Sequence, residues 1–212
     1  MTIITLGGKR LVIGKQVMQI GENDEPTFDW KTNLIGYFKF DGNLNNEHGD
    51  LSFIGDSPVF DVGKNGGAFR INTIIEGNKH KYTNKISFGF WYKSNDSAYV
   101  LSFTDSIYIS DKSISMYNKN FYTNYTDWGI YDGEWHHFFF VLSGIMLTVY
   151  RDGVALYTNT IGSPLDSYEM SINIPQIVTS NFIIDELAVW DGRIITPDEV
   201  TQLYNCGNGL FI

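Results

Sequence analysis

The chain has 212 residues, a formal net charge of −9, and hydrophobic and aromatic contents of 43% and 16%. This length fits a domain with a sizeable core. The acidic balance, without a cluster of Lys and Arg, argues against a nucleic-acid partner. No apolar run approaches the roughly 20 residues of a membrane span, so membrane insertion is not expected. The single cysteine, Cys206, excludes an internal disulfide.

Residues 1–30 differ in pattern from the rest of the chain. Short runs of Ile, Leu and Val, broken by glycines, predict two or three short strands. Such strands are marginal on their own, so we expect them to pair with the main domain or with another chain. No basic region precedes the first apolar run, which predicts that this segment is not a secretory signal. We interpret residues 1–30 as a β-forming arm and linker, and as the docking segment of a domain that spans residues 31–212.

Beyond the arm, strands and turns alternate as they do in an all-β sandwich. Four Asp-Gly pairs mark tight turns, because this dipeptide tolerates positive φ angles. The clearest hairpin, residues 146–157, turns at Asp152-Gly153. The apolar runs 86–92 and 138–142 are typical of central strands that are covered on both faces.

One helix is predicted near the carboxyl end. Thr196 supplies an N-cap, Pro197 fits the first helical position, and Glu199 completes a capping box. Apolar residues then fall on one face, and Gly207 can end a helix of about ten residues.

Short motifs in the second half of the chain resemble those of a known family. They are Asp-Gly-Glu-Trp-His-His at 132–137, Tyr-Arg-Asp-Gly at 150–153, Ile-Asp-Glu-Leu-Ala-Val-Trp at 184–190 and Ile-Thr-Pro-Asp-Glu-Val at 195–200. With residues 34–44 and 66–71, they resemble the laminin-G-like jelly rolls of the concanavalin-A-like lectin and glucanase group, in the family's order. The resemblance implies an all-β fold: a two-sheet antiparallel jelly-roll sandwich with one short C-terminal helix and an N-terminal β arm.

The same resemblance implies a calcium site where the first and last strands meet. Ca²⁺ prefers carboxylate, amide and carbonyl oxygens, which here indicates Asp41, Asn43 and Asp185. The alternative is that Asp41 sets a turn while Asp185 satisfies nearby backbone N–H groups. The pair His136-His137 is not expected to bind one ion, because adjacent residues of a strand point to opposite faces.

A catalytic reading is disfavoured. Related retaining glucanases carry their catalytic carboxylates on one strand as Glu-x-Asp-x-x-Glu, because alternate residues share a face. Glu22-Asn23-Asp24 begins this pattern, but Thr27 occupies the third carboxylate position. We therefore expect no catalytic residue and no enzyme, and we keep a glycoside hydrolase only as an alternative.

The stretch 117–131 is the best candidate for a ligand site. It interleaves aromatic residues with Asn, Thr and Asp, a mixture that can stack on sugar rings and bind their hydroxyl groups. Tyr122, Tyr125 and Trp128 are the predicted ligand-binding residues. The alternative is that alternate aromatic residues of this stretch cover the sheet and the others lie in turns.

These features predict a non-catalytic structural or recognition module that binds a surface glycan. The Asn- and Tyr-rich composition and the short β arm resemble exterior proteins of bacteriophage virions, such as head fibres, decoration proteins or receptor-binding parts. That resemblance implies an oligomeric protein at the virion surface, attached to a capsid or fibre through residues 1–30. The alternatives are a free lectin-like domain and a protein that stays in the cytoplasm or leaves the cell by lysis.

Overall fold

A computed structural model of the chain describes residues 2–6, 9–13, 20–21, 29–95, 99–103, 107–110, 113–116, 121–124, 132–160, 169–174 and 182–209. The chain divides into two compact units, residues 1–30 and 31–212. No helix in these ranges is long and apolar enough to span a membrane.

The first unit contains a three-stranded antiparallel sheet. Its strands are β1 (Thr2–Leu6), β2 (Lys9–Ile13) and β3 (Ile20–Gly21), in the order β1-β2-β3. Residues of high β propensity form β1 and β2, as the sequence predicts.

The second unit is a β-sandwich of two antiparallel sheets, which confirms the predicted fold class. One sheet has seven strands in the order β13-β12-β11-β10-β17-β8-β5. The other has eight strands and runs β16-β15-β14-β9-β18-β7-β6, with β4 also paired to β18. The strands are β4 (Leu34–Phe38), β5 (Phe53–Gly55), β6 (Val59–Val62), β7 (Gly67–Arg70), β8 (Ile75–Lys81), β9 (Lys85–Lys93), β10 (Tyr99–Phe103), β11 (Ile107–Ser110), β12 (Ser113–Met116), β13 (Phe121–Asn124), β14 (Trp135–Ser143), β15 (Met146–Arg151), β16 (Val154–Thr160), β17 (Glu169–Ile174) and β18 (Ile183–Asp191).

The main core lies between the two sheets and is rich in phenylalanine. Phe88 and Phe140 stack with ring centroids 4.8 Å apart, and Tyr92 and Phe138 stack at 4.7 Å. These rings come from β9 and β14, which pair in register over nine residues. Aromatic pairs of this kind add about 0.5–1.5 kcal/mol each beyond their area burial.

A second apolar layer covers the outer face of the eight-stranded sheet. Trp91, Phe139 and Trp190, which alternate with core residues along β9, β14 and β18, are all buried. Helix α1 (Pro197–Tyr204) adds Val200 and Leu203, which are also buried. Three central strands are therefore buried on both faces, and the apolar runs 86–92 and 138–142 predict this for two of them, β9 and β14.

The cap of α1 matches the sequence prediction at its start. The Thr196 hydroxyl accepts from the Glu199 backbone N–H, and the Glu199 carboxylate accepts from the Thr196 N–H, which completes the capping box. The helix ends at Tyr204, and a 3₁₀ turn (Asn205–Gly207) follows it, so the regular helix is shorter than predicted. Asn205 adopts φ 47°, which ends the α-helix before Gly207.

Candidate functional site

The two outer faces of the sandwich differ in chemistry. Apolar side chains and α1 cover the face of the eight-stranded sheet. On the seven-stranded sheet, Ile172 and Ile174 of β17 lie in the core, whereas Asn173 between them lies on the outer face and is partly exposed. Leu101 of β10 is also in the core, and the next residue, Ser102, is polar but only 8% exposed. Alternation of this kind is typical of an antiparallel sheet with one face on the core.

Strand pairing builds a row of residues across the outer face of the seven-stranded sheet. Cross-strand partners occupy the same face, so the register places one residue of each strand in the row. At about 4.8 Å per strand, a row of seven residues spans roughly 29 Å. We call it the outer-face row; in order it consists of Tyr122, Ser115, Tyr108, Ser102, Asn173, Glu76 and Ile54.

A shorter register line lies beside this row at the β13 end. Ser113 of β12 pairs with Asn124 of β13, and Ser110 of β11 pairs with Tyr99 of β10. At this end, the outer-face row and its neighbouring line consist of neutral residue types that hydrogen-bond or stack. The charged member of the row, Glu76, lies near its other end.

Asn173 anchors the middle of the row. Its Oδ1 atom accepts a hydrogen bond from the Gly77 N–H at 3.2 Å. A side chain at position 77 would collide with the Ile172 carbonyl oxygen, since an added Cβ atom would lie 2.3 Å from it. Glycine therefore permits the close approach of β8 and β17 at the position where Asn173 and Glu76 pair.

The outer-face row includes one of the three predicted ligand residues. Tyr122 occupies the end of the row on β13, where the structure describes the backbone and its pairing. Tyr125 and Trp128 lie outside the described residues, so their role stays a prediction. Sequence reasoning missed Tyr108, Asn173 and Glu76. The available signal was the alternation of apolar and polar residues in Ile107–Ser110 and Glu169–Ile174, but both segments are too short to fix a register by themselves.

The predicted metal ligand Asp185 lies buried at the start of β18 and holds a distant loop. Its Oδ2 atom accepts the backbone N–H groups of Lys64 at 2.8 Å and Asn65 at 3.1 Å, and its Oδ1 atom accepts that of Glu186 at 2.8 Å. Burial raises the pKa of Asp185 to about 8, although these N–H donors act in the opposite direction.

The neighbouring Glu186 sits on a β-bulge between β18 and β9, with φ 53°. The Tyr37 hydroxyl and the Asn65 side-chain amide donate to its carboxylate. Burial raises the pKa of Glu186 as well. Both oxygens therefore have hydrogen-bond donors, which makes this acid a poor partner in a catalytic pair.

The other two predicted calcium ligands are also engaged within the protein. Asp41 Oδ1 accepts the Gly67 N–H, so Asp41 and Asp185 grip the same loop, residues 63–67. Asn43 donates to the Asp41 carbonyl and accepts from the Asn45 N–H. Each of these N–H groups uses an oxygen lone pair that a Ca²⁺ ion would otherwise take. In the described parts of the chain, no three His, Cys, Asp or Glu side chains group as a metal site requires. The calcium site stays a prediction.

The two histidines of the 132–137 motif lie on opposite faces of β14. His137 is buried beneath α1 against Trp91, with ring centroids 5.1 Å apart, and burial lowers its pKa to about 4. His136 lies between two carboxylates: Nδ1 is 2.8 Å from Asp152 Oδ2, and Nε2 is 3.3 Å from Asp132 Oδ1. The two carboxylates contact different ring nitrogens, so they do not converge on one point. His136 therefore fastens the β15–β16 turn to the start of β14.

Comparison with known proteins establishes the fold. No protein-family model and no curated protein matches the chain. Among solved structures, domain 4 of AbnA, a GH43 extracellular arabinanase from Geobacillus stearothermophilus, in complex with arabinotriose, is 20% identical with a TM-score of 0.65. That match covers 80% of this chain and 97% of the AbnA domain.

Two further binding domains match this chain with TM-scores close to that of the AbnA domain. The botulinum neurotoxin type G receptor binding domain is 18% identical with a TM-score of 0.62, and the match covers 82% of this chain and 51% of that one. The binding domain of Paraclostridial Mosquitocidal Protein 1 is 15% identical with a TM-score of 0.64, and the coverage is 82% and 52%. This chain thus spans about half of these toxin domains. At these identities the likeness shows a shared β-sandwich fold.

Titration with calcium distinguishes a metal site from the loop-holding role of Asp41 and Asp185. A site filled at 100 times its Kd would add about 2.7 kcal/mol to the free energy of unfolding. Because N–H donors occupy the relevant oxygens, we expect the thermal midpoint to be the same in excess Ca²⁺ and in excess EDTA. A midpoint that rises with the Ca²⁺ concentration and is lost in Asp185→Asn would establish the calcium site instead.

The His136 contacts predict a pH-dependent contribution to stability. The hydrogen bond with Asp152 raises the pKa of His136 above its usual value of about 6.5. Its contribution is therefore fully present below the unfolded pKa and is lost as the pH rises through the folded pKa. We expect His136→Gln to lower the free energy of unfolding by about 1 kcal/mol more at pH 5.5 than at pH 8.5.

The measurement is urea denaturation of wild type and variant at both pH values. Asp152→Asn is the matched test, because most of the pH-dependent effect of His136→Gln should vanish once this carboxylate is removed. An effect of His136→Gln that is equal at both pH values would contradict an ion pair between His136 and Asp152.

Proposed function

We propose that residues 31–212 form a non-catalytic binding module whose outer-face row binds a neutral glycan. The observation that carries this proposal is the row itself, in which Tyr122, Tyr108 and Asn173 share one line across the sheet with two serines. Sugars are bound by aromatic rings that stack on their C–H faces and by amide and hydroxyl groups that hydrogen-bond their hydroxyls. The neutral end of the row offers these groups without fixed charge.

The dimensions favour a linear ligand. The neutral part of the row, from Tyr122 to Asn173, spans roughly 19 Å, which is long enough for several units of a polymer laid across the strands. The solved neighbours give independent support: domain 4 of AbnA was solved in complex with arabinotriose, and the toxin neighbours are receptor-binding or binding domains. A protein receptor is the alternative ligand, since the botulinum neurotoxin DC binding domain was solved with rat synaptotagmin II.

A hydrolytic role is less well supported by the carboxylates of this chain. Glycoside hydrolysis requires two carboxyl groups that flank the scissile bond. Asp185 and Glu186 are the buried acids of the described residues, but backbone N–H groups, Tyr37 and Asn65 hold their oxygens. We therefore propose binding without catalysis.

We further propose that residues 1–30 attach the module to a larger assembly, such as the exterior of a virion. The three strands of the first unit form a sheet of their own. Two or three short strands gain stability when a partner covers them. A module at a particle surface would then present its outer-face row to glycans outside.

Glycan binding can be tested with the full chain on an array that includes linear arabino-oligosaccharides, followed by calorimetry on the best ligand. We expect Tyr122→Ala, Tyr125→Ala and Trp128→Ala each to weaken binding about ten-fold, since loss of one stacking ring costs about 1.4 kcal/mol. Asn173→Ala should also weaken it.

Asn159→Ala is the matched control for Asn173→Ala, because Asn159 is an exposed asparagine on β16 of the other sheet. The affinity of Asn159→Ala for the glycan should equal that of wild type. The proposal fails when the parent protein binds no glycan on the array, or when the variants at Tyr122, Tyr125, Trp128 and Asn173 all bind as tightly as wild type.

Deletion of residues 1–30 tests the docking role. Both sandwich sheets and their core lie within residues 31–212, so we expect the truncated chain to keep its β-sheet circular dichroism and its thermal midpoint. It should no longer co-sediment with the native assembly purified from its source. A truncated chain that unfolds, or one that still assembles, would contradict a docking arm.

A further inference from the structure

A cavity opens at the lateral edge of the sandwich, where β5 ends the seven-stranded sheet. Its volume is about 350 Å³, within the range of small-ligand sites. The segments that cross between the sheets, residues 56–58 and 71–74, form part of its wall. The Thr73 hydroxyl joins them by donating to the Asp56 carbonyl oxygen at 3.0 Å. The lining residues are Ile54, Gly55, Asp56, Thr73, Ile74 and Glu76.

Two aliphatic side chains of this cavity are exposed. Ile54 is 76% exposed and Ile74 is 51% exposed, and Val59 at the start of β6 is also exposed at 42%. Exposed apolar groups that cluster within a polar rim mark surfaces on which a partner docks. β5 is moreover an edge strand, which among the described strands pairs with β8 alone. An extended segment can add to such an edge through its backbone.

Two carboxylates complete the lining. Glu76 lies opposite Ile54 in the strand register, and Asp56 follows β5 directly. Both are exposed, and no ion pair of the described residues includes either of them. The cavity therefore combines aliphatic surface with negative charge that no cation of the described chain neutralises.

A lysine side chain matches both properties. Its methylene stem covers apolar surface while its ammonium group, a compact charge with three donors, reaches carboxylates or water. An amino sugar would also bring a cation, but sugars are held by aromatic faces, and the lining of this cavity contains none. We propose that this cavity is a docking site for a lysine of an extended segment of a partner protein. The site is distinct in chemistry from the neutral end of the outer-face row.

The test uses the full chain labelled with ¹³C at its isoleucine methyl groups. Titration with n-butylammonium chloride, which reproduces the lysine side chain, should shift the Ile54 and Ile74 methyl signals saturably. n-Butanol and sodium butyrate, matched in length but neutral or negative, should not. The tripeptide acetyl-Val-Lys-Val amide should bind more tightly than n-butylammonium, because its backbone can pair with the β5 edge.

Variants without the carboxylates test whether Asp56 and Glu76 bind the ammonium group. The double variant Asp56→Asn/Glu76→Gln should weaken n-butylammonium binding at least about ten-fold, the size expected for two charge-assisted contacts. Glu47→Gln, which removes one exposed glutamate outside the cavity, is the matched control and should bind as wild type does. Equal shifts with n-butanol or butyrate, or no shift at all, would overturn the proposal. Tighter binding of glucosamine than of the tripeptide would also overturn it, in favour of an amino-sugar site.

Discussion

Burial of three central strands on both faces organises the sandwich. β9, β14 and β18 turn one set of side chains toward the other sheet and the alternate set, with Trp91, Phe139 and Trp190, toward α1. A strand that is apolar on both faces must be covered twice, so the chain returns after β18 to place Val200 and Leu203 over the eight-stranded sheet. The seven-stranded sheet carries polar residues on its outer face, and ligand chemistry is therefore available there.

The buried carboxylates Asp185 and Glu186 connect distant segments of the sandwich. Asp185 accepts N–H groups from a loop about 120 residues earlier in the chain, and Glu186 accepts from Asn65 of that same loop and from Tyr37 of β4. Buried polar groups are tolerated where hydrogen bonds replace water, and these bonds fix the β6–β7 loop against β18. Asp185, which the family resemblance predicts as a calcium ligand, thus hydrogen-bonds the β6–β7 loop to β18 in the structure.

Local features of the fold could be predicted from the sequence, and features that depend on distant pairing could not. The hairpin 146–157 and the Thr196 cap are encoded by neighbouring residues, so a short window is enough to identify them. The outer-face row depends on pairs such as Ser102 with Asn173 and Ile54 with Glu76, whose partners are separated by 71 and 22 residues. In strands of three to five residues, the pattern of apolar and polar residues does not determine which partner is chosen or in which register. The aromatic residues around Tyr122 indicate a ligand site from the sequence alone, and that role stays a prediction; the segment of Asn173 contains no comparable signal.

The residue types along the outer-face row differ between its β13 end and its β5 end. This difference decides whether the module can bind a glycan and a partner protein at the same time. The β13 end offers tyrosine, serine and asparagine, whereas the β5 end offers isoleucine beside Glu76 and Asp56. A lysine ammonium gains charge-assisted contacts at the carboxylates, whereas a neutral sugar ring gains stacking at the tyrosines of the other end. The two proposed ligands therefore do not compete for the same groups, although they share one sheet. Simultaneous occupation of both sites by one partner would raise the overall affinity through effective concentration rather than through new contacts. A module of this kind gains most from presentation in several copies on a common particle, which is the arrangement that a docking segment at residues 1–30 would provide.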